Sequence, residues 1–246
     1  MKNLSIILST VAIVVAASSL MVSLKTPCPK SAGKSAVFTQ ADLQNILNEN
    51  PKIVADAMEA YQAKQREEEE RAANEALAKR VDDINSTANA PFVGNADAKV
   101  TMVEFFDFSC GYCIRLAPAL EKVIKDNEDV KFVFKPLTFL GAMSVYKAKA
   151  ALAANKQGKF YEFYTKAMGG DYNDEASVDA MAKEIGVNIA TYKKDMTSPE
   201  VQNALDEVSN LAQDIKVNGV PTLILNGKKV YAYDAEAIQN VINEAK

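Results

Sequence analysis

Cys110-Gly111-Tyr112-Cys113 lies where an apolar run, Val100-Thr101-Met102-Val103-Glu104-Phe105-Phe106-Asp107-Phe108, gives way to a helical pattern from Ile114 to Lys125. The apolar run predicts a buried strand. A strand that turns into a helix through C-x-x-C places the first sulfur at the helix N-terminus, where free backbone N–H groups and the helix dipole favour a thiolate. Two intervening residues also let the pair close into a disulfide. We therefore predict that Cys110 is the attacking sulfur and Cys113 the resolving sulfur.

The pair could instead be a metal site or a structural disulfide. A tetrahedral zinc site takes four Cys or His ligands, whereas the whole chain contains three Cys and no His. A structural disulfide between such close neighbours closes a very short loop and stabilises little. The residues therefore favour a redox pair that uses neither a metal nor an organic cofactor. The absence of His also excludes Ser-His-Asp and Cys-His catalytic sites within this chain.

Composition limits the remaining possibilities. The chain has 246 residues, of which 48% are hydrophobic and 24% charged, enough for one domain with a sizeable core plus an appendage. The net charge of -4 and the lack of a long basic patch argue against a nucleic-acid partner. Three cysteines are too few for a disulfide-stapled scaffold, so we expect packing to stabilise the fold.

Residues 1–28 contain an apolar run from Ser5 to Leu24, which is preceded by the positively charged Lys2. Because about 20 apolar residues suffice to cross a bilayer, the run is either a cleaved signal peptide or a retained membrane anchor. Lys2 would keep the N-terminus in the cytoplasm. Both alternatives place the redox pair in the periplasm or another extracytoplasmic space.

Cys28 follows this run and is preceded by Pro27. A lipid-attachment cysteine normally follows a small residue instead. An intermolecular disulfide, or no role, therefore fits Cys28 better.

Residues 38–88 carry a helical pattern. Thr39 with Asp42 predicts a capping box at the start of a short helix, and Asn50-Pro51 predicts a second start with Asn50 as the cap. The second helix would continue to about Asn85, with residues 64–71 charged on every side, as in a solvent-bridging spacer. The apolar positions before the spacer are Leu43, Ile46, Leu47, Ile53, Val54, Ala57, Met58 and Tyr61. They could pack on the catalytic domain, but we favour self-association through residues 39–61 into a dimer or trimer.

Residues 91–246 are predicted to form the main domain, of α/β class. A second strand spans Val130 to Lys135, so that strand, helix and strand make a parallel unit. An all-helical insertion covers about residues 137–216. Its predicted helices are Ala142–Asn155, Phe160–Met168, Glu175–Ile185, Ala190–Met196 and Val201–Ile215. A hairpin then follows, with Leu223–Leu225 and Val230–Tyr233 on either side of Asn226-Gly227, and a last helix spans Ala235–Ala245.

In combination, these motifs resemble the thioredoxin-fold thiol-disulfide oxidoreductases of the DsbA type. The resemblance covers residues 91–246 and rests on Val103-Glu104-Phe105-Phe106, the C-x-x-C and Val220-Pro221-Thr222. It implies a thioredoxin fold with a helical insertion, disulfide exchange, and a cis proline, Pro221, against the redox pair. Val220, Pro221 and Tyr112 would contact the substrate, since backbone groups beside a proline are free to pair with an extended chain.

The resemblance also implies a role for Glu104. A buried carboxylate behind Cys113 could take the proton of that thiol when it attacks a mixed disulfide. The alternative is an inward-facing strand residue paired with a lysine such as Lys135. We expect Phe105, Phe106 and Phe108 to belong to the core.

The sequence combines features of two kinds of enzyme. The Gly-Tyr dipeptide looks like that of the disulfide isomerase DsbC, whereas Val220 and the helical insertion look like the oxidase. Simple monomeric oxidases lack the long N-terminal helical segment. We favour an exported oxidoreductase that acts on cysteine-containing proteins, with isomerase or reductase action ahead of oxidation. The alternatives are a dedicated oxidase served by a membrane redox partner, and a non-enzymatic copper-binding or adhesion module.

Overall fold

A computed structural model describes residues 39–246; the predicted signal or anchor segment and Cys28 lie outside these residues. The helices are α1 (Gln40–Glu49), α2 (Pro51–Lys79), α3 (Val81–Asn85), α4 (Gly111–Asp126), α5 (Ala142–Asn155), α6 (Phe160–Gly169), α7 (Glu175–Glu184), α8 (Ile189–Met196), α9 (Pro199–Asp214) and α10 (Ala235–Ala245). The strands are β1 (Phe92–Gly94), β2 (Thr101–Phe106), β3 (Lys131–Pro136), β4 (Thr222–Leu225) and β5 (Lys228–Val230). The chain divides into two compact units, one up to Asp56 and one from Ala57 to Lys246.

The described part of the first unit contains α1 and the start of α2. The predicted capping box is present, because Asp42 N donates to Thr39 Oγ1 at 3.2 Å and Thr39 N donates to Asp42 Oδ2 at 2.9 Å. The cap predicted at Asn50 is different: its side-chain amide donates to Ile46 O at 3.0 Å and so closes α1. No side chain of α1 is buried.

The second unit is built on a five-stranded sheet of order β1-β3-β2-β4-β5. The two strands that flank the redox helix, β2 and β3, are parallel as predicted, with Val103 opposite Val133. The other three pairings are antiparallel. Strand β1 was not predicted, because three residues are too few to show a period. The second hairpin strand spans Lys228–Val230 instead of the predicted Val230–Tyr233, because pairing resumes directly after Asn226-Gly227, with Lys228 opposite Leu225.

The helical insertion consists of α5 to α9, and these helices begin and end within two residues of their predicted bounds. The long N-terminal helix is interrupted at Arg80, which separates α2 from α3. The predicted fold class, a thioredoxin fold with a helical insertion and a preceding helical segment, is confirmed. Within residues 39–246, no helix is both long enough and apolar enough to span a bilayer.

Both faces of the sheet are covered, and every residue of β2 is buried. Successive residues of a strand point to opposite faces. On one face Met102 and Phe106 pack with α4, α6 and α10. On the other face Val103 and Phe105 pack with side chains from α2, α3 and α9, among them Leu77, Ile84 and Leu211. Strand β2 is therefore the buried centre of the sheet, and the redox pair follows directly after its end.

Candidate active site

Cys110 occupies the N-cap position of α4, with extended backbone dihedrals (φ −84°, ψ 116°). Its backbone N–H donates to Asp107 O at 3.0 Å, which closes the turn between β2 and the helix. Cys110 is 7% exposed and Cys113 is fully buried. Cys110 is therefore the sulfur that a second molecule can reach, as expected of an attacking nucleophile.

The segment that leads into β4 lies against this sulfur. The Val220–Pro221 peptide bond is cis, and Cys110 Sγ lies 3.6 Å from the carbonyl oxygen of Val220. Strand β4 reaches this position because it pairs antiparallel with β2, with Thr222 opposite Phe105. The fold thus brings Cys110 together with Val220 and Pro221, which were also predicted as site residues and lie about 110 positions later in the sequence.

Tyr112, the third residue assigned to substrate contact, has an exposed side chain (69%). The guanidinium of Arg115 lies 4.3 Å from the centre of its ring. Tyr112, which lies between the two cysteines in sequence, therefore presents an aromatic surface to solvent.

Cys113 is held as a thiol. Burial raises the pKa of Cys113 well above its ordinary range, and the charge of Glu104 raises it further. A thiol in this state needs a base before it can attack a disulfide.

Glu104 is a candidate for that base. It is 2% exposed, and the hydroxyl of Tyr164 donates to its Oε2 at 2.9 Å. Its other oxygen, Oε1, is buried and has no hydrogen-bond partner within residues 39–246. Burial raises the pKa of Glu104 to about 8, against the opposing effect of the Tyr164 hydrogen bond. A carboxyl group with this pKa can gain and lose a proton near neutral pH.

The alternative pairing of Glu104 with Lys135 is wrong. In the β2–β3 register Glu104 is opposite Phe134, while Lys135 is opposite Phe105. Adjacent strand positions point to opposite faces, so Lys135 lies on the other side of the sheet. There its amine donates to Ser86 O at 3.3 Å, and burial lowers the pKa of Lys135 to about 8.

Sequence reasoning missed two residues near the pair. One is Tyr164, which nothing in its local sequence distinguishes from a core aromatic. The other is Asp107, which is fully buried at the end of the β2 run. An acidic residue within an otherwise apolar run was a usable signal for Asp107.

The carboxylate of Asp107 joins the redox loop to the loop after β3. It accepts hydrogen bonds from Ser109 N at 2.8 Å, Phe139 N at 2.9 Å and Leu140 N at 3.3 Å, and also from Ser144 Oγ. The side chains of Phe139 and Leu140 are each 53% exposed. Asp107 therefore holds two exposed apolar side chains on a loop that adjoins the redox loop.

Comparison with known proteins shows the family to which this chain belongs. The thioredoxin family model matches residues 86–244. The chain is 31% identical over 149 residues to a probable disulfide bond formation protein D of Bacillus cereus, covering 55% of this chain and 69% of that protein. It is also 27% identical over 158 residues to the Na(+)/H(+) antiporter NhaA 3 of Salinispora tropica, covering 62% of this chain. The chain spans about a quarter (24%) of that antiporter's length.

Two solved structures share the fold. A thioredoxin-like oxidoreductase from Silicibacter pomeroyi is 32% identical, with a TM-score of 0.62 over 67% of this chain and 96% of that one. ScsC from Proteus mirabilis, in a transitional conformation, is 28% identical, with a TM-score of 0.63 over 83% of this chain and 94% of that one. The family match, the sheet topology and the cysteine pair at the start of α4 agree, and the chain belongs to the thioredoxin family, among the thioredoxin-fold thiol-disulfide oxidoreductases of the DsbA type.

Proposed function

We propose that this protein is an exported enzyme that exchanges disulfides in cysteine-containing client proteins through Cys110 and Cys113. The observation that carries the proposal is the position of Cys110, which combines a helix N-terminus, residual exposure and contact with the Val220 carbonyl. Export is supported by the apolar run from Ser5 to Leu24.

The exchange takes place in two steps. The Cys110 thiolate attacks one sulfur of a client disulfide; a mixed disulfide forms, and the client's other sulfur leaves as a thiolate that takes a proton from solvent. Cys113 then attacks Sγ of Cys110 while Glu104 accepts its proton, and the client's second sulfur leaves. The client has gained two electrons, and Cys110 and Cys113 are joined as a disulfide. The reverse sequence oxidises a client.

The surface around Cys110 suits unfolded clients. Tyr112, Phe139 and Leu140 expose apolar side chains beside the redox loop. Exposed apolar groups bind the apolar side chains of a misfolded chain without requiring a particular sequence. The backbone beside Pro221 supplies hydrogen-bonding groups for an extended client segment.

Isomerase or reductase action is favoured by the N-terminal helices. Leu43, Ile46, Ile53, Met58 and Tyr61 are between 39% and 61% exposed. The exposed apolar residues of α1 and the apolar stripe formed on α2 by Ile53, Met58 and Tyr61 each support self-association through residues 39–61. Self-association would enclose a cleft able to hold a client during repeated exchange.

Dedicated oxidation is the second candidate. It is favoured by the 31% identity to the probable disulfide bond formation protein of Bacillus cereus. An oxidase would need a membrane redox partner that removes two electrons from the Cys110-Cys113 pair after each cycle.

Single cysteine substitutions test the proposal. Cys110→Ser should abolish exchange with a scrambled multi-disulfide substrate, because the attacking sulfur is lost. Cys113→Ser should accumulate mixed disulfides with the substrate, visible by mass spectrometry. Exchange activity that persists in Cys110→Ser would show that the assigned nucleophile is wrong.

A further inference from the structure

We propose that Tyr164 is a positioning residue for proton transfer: its hydroxyl holds Oε2 of Glu104 and leaves Oε1 as the oxygen that takes the proton of Cys113. This inference rests on the proposed function and assigns a task to the helical insertion, which supplies Tyr164 from α6.

The two oxygens of Glu104 are in different states. Oε2 accepts the hydroxyl of Tyr164 at 2.9 Å, whereas Oε1 is buried without a partner among residues 39–246. Leaving a buried acceptor unpaired costs folding free energy. Such atoms are rare in folded proteins, and a redox or catalytic role is one explanation for them. The charge of Glu104 acts on Cys113, and in this proposal the free oxygen Oε1 is the acceptor that the second exchange step requires.

Tyr164 is itself held in place by other rings. Its ring centre lies 4.7 Å from that of Phe134, 5.3 Å from that of Phe106 and 6.1 Å from that of Phe160. Tyr161 stacks on it with an interplanar angle of 10°. The side chain is fully buried. Packing on several sides fixes the direction of the hydroxyl, and with it the orientation of the carboxyl group.

The titratable groups that face Glu104 from neighbouring elements are few. Tyr164 comes from α6, and Cys113 comes from α4 beside Cys110. The facing residues of the adjacent strands, Phe134 and Leu223, are apolar. No lysine or arginine thus stabilises the carboxylate from these positions, so its ionisation depends on the Tyr164 hydrogen bond, which lowers the pKa of Glu104 against the effect of burial.

Tyr164→Phe tests this role, since it removes the hydroxyl and keeps the ring. Tyr161→Phe is the matched control, because the Tyr161 hydroxyl is also buried but has no hydrogen-bond partner in the described part of the chain. The first step is measured as mixed-disulfide formation by Cys110 in a Cys113→Ser background. The second step is measured as release of the client thiol from a preformed mixed disulfide, by stopped flow between pH 5 and 10.

Without the hydroxyl, the pKa of Glu104 should rise and the carboxylate should become scarcer at neutral pH. Tyr164→Phe should move the midpoint of the second step upward by about one pH unit and slow that step about tenfold at pH 7, the size expected for a hydrogen bond to a charged group. The first step should stay within about twofold, because Tyr164 acts on Glu104 and not on Cys110. Tyr161→Phe should leave both steps unchanged.

An unshifted midpoint in Tyr164→Phe would overturn the inference. If Tyr164→Phe does not fold, 3-fluorotyrosine at position 164 replaces it: as a stronger donor it should move the midpoint downward, and no movement would likewise refute the role of Tyr164. Failure of the proposed function looks different, since Cys113→Ser would then form no mixed disulfide at all.

Discussion

Glu104 occupies a position that costs folding free energy. Burial raises the pKa of Glu104 to about 8, so the folded protein binds a proton at pH values where the unfolded chain has already released it. The free energy of unfolding must therefore fall as pH rises from about 4.3, the ordinary pKa of Glu, toward 8. The proposed role of Glu104 as the base for Cys113 would account for a buried carboxyl group at this cost.

We predict that Glu104→Gln stabilises the protein at high pH. The gain in free energy of unfolding should be near zero at pH 4 and roughly 2–4 kcal/mol at pH 8 and above. Urea unfolding of the reduced protein at pH 4, 6 and 8 measures it, with the exposed Glu128→Gln as control. A gain that does not change with pH would contradict the assigned burial cost. The same substitution should slow the resolving step.

At the scale of elements, the end of the N-terminal helical segment is joined to the catalytic unit at several points. Arg80, between α2 and α3, forms ion pairs with Asp83 and with Asp214 at the end of α9. Val81, at the start of α3, contacts the turn between β4 and β5: a Cβ added to Gly227 would lie 2.2 Å from Val81 Cγ2. Gly227 also has a positive φ of 80°. Both the backbone conformation and the close approach of Val81 therefore favour glycine at this position.

We predict that Gly227→Ala destabilises the protein by roughly 2–4 kcal/mol, from backbone strain and from the clash with Val81. Gly158→Ala is the control, because Gly158 has a φ of +69° with open space around it and should lose only about 1 kcal/mol. Adding Val81→Ala to Gly227→Ala should recover the part due to the clash. Equal losses at both glycines, measured by thermal unfolding, would show that α3 does not press on this turn.

At the scale of the whole molecule, the end of the helical segment contributes to the hydrophobic core of the thioredoxin-like domain. Leu77 and Ile84 belong by sequence to the predicted segment 38–88, yet they are buried with Val103, Phe105 and Val133 against one face of the sheet. A chain shortened to residues 91–246 would expose this face. Self-association is therefore better tested by substitution than by truncation.

We predict that Ile53→Lys with Met58→Lys converts an oligomer into a monomer, because two charges would enter the apolar stripe. Refolding of a scrambled substrate should fall at least tenfold, while mixed-disulfide formation by Cys110 persists. Light scattering gives the mass. Ala55→Lys with Ala63→Lys adds the same charge on the side of α2 away from the stripe, by helical spacing, and should change neither property. A wild-type chain that is monomeric would refute self-association, and full oxidase activity in that monomer would favour the second candidate function.

Local pattern determined much of this protein. The strand that ends in C-x-x-C, the burial of Phe105, Phe106 and Phe108, and the helices of the insertion could all be predicted from sequence, because side-chain periodicity, capping residues and turn residues act over a few positions. Strand β1 could not be predicted, since its three residues are ordered by pairing with β3.

Only the tertiary structure decided the surroundings of the redox pair. Glu104 meets Tyr164, 60 positions away, and not Lys135, because the pleat of β3 turns Lys135 to the opposite face. Asp107 joins the redox loop to a loop 32 positions later. Contacts of this range depend on strand register and on how a helix packs across the sheet, and neither is written in the local spacing of residues.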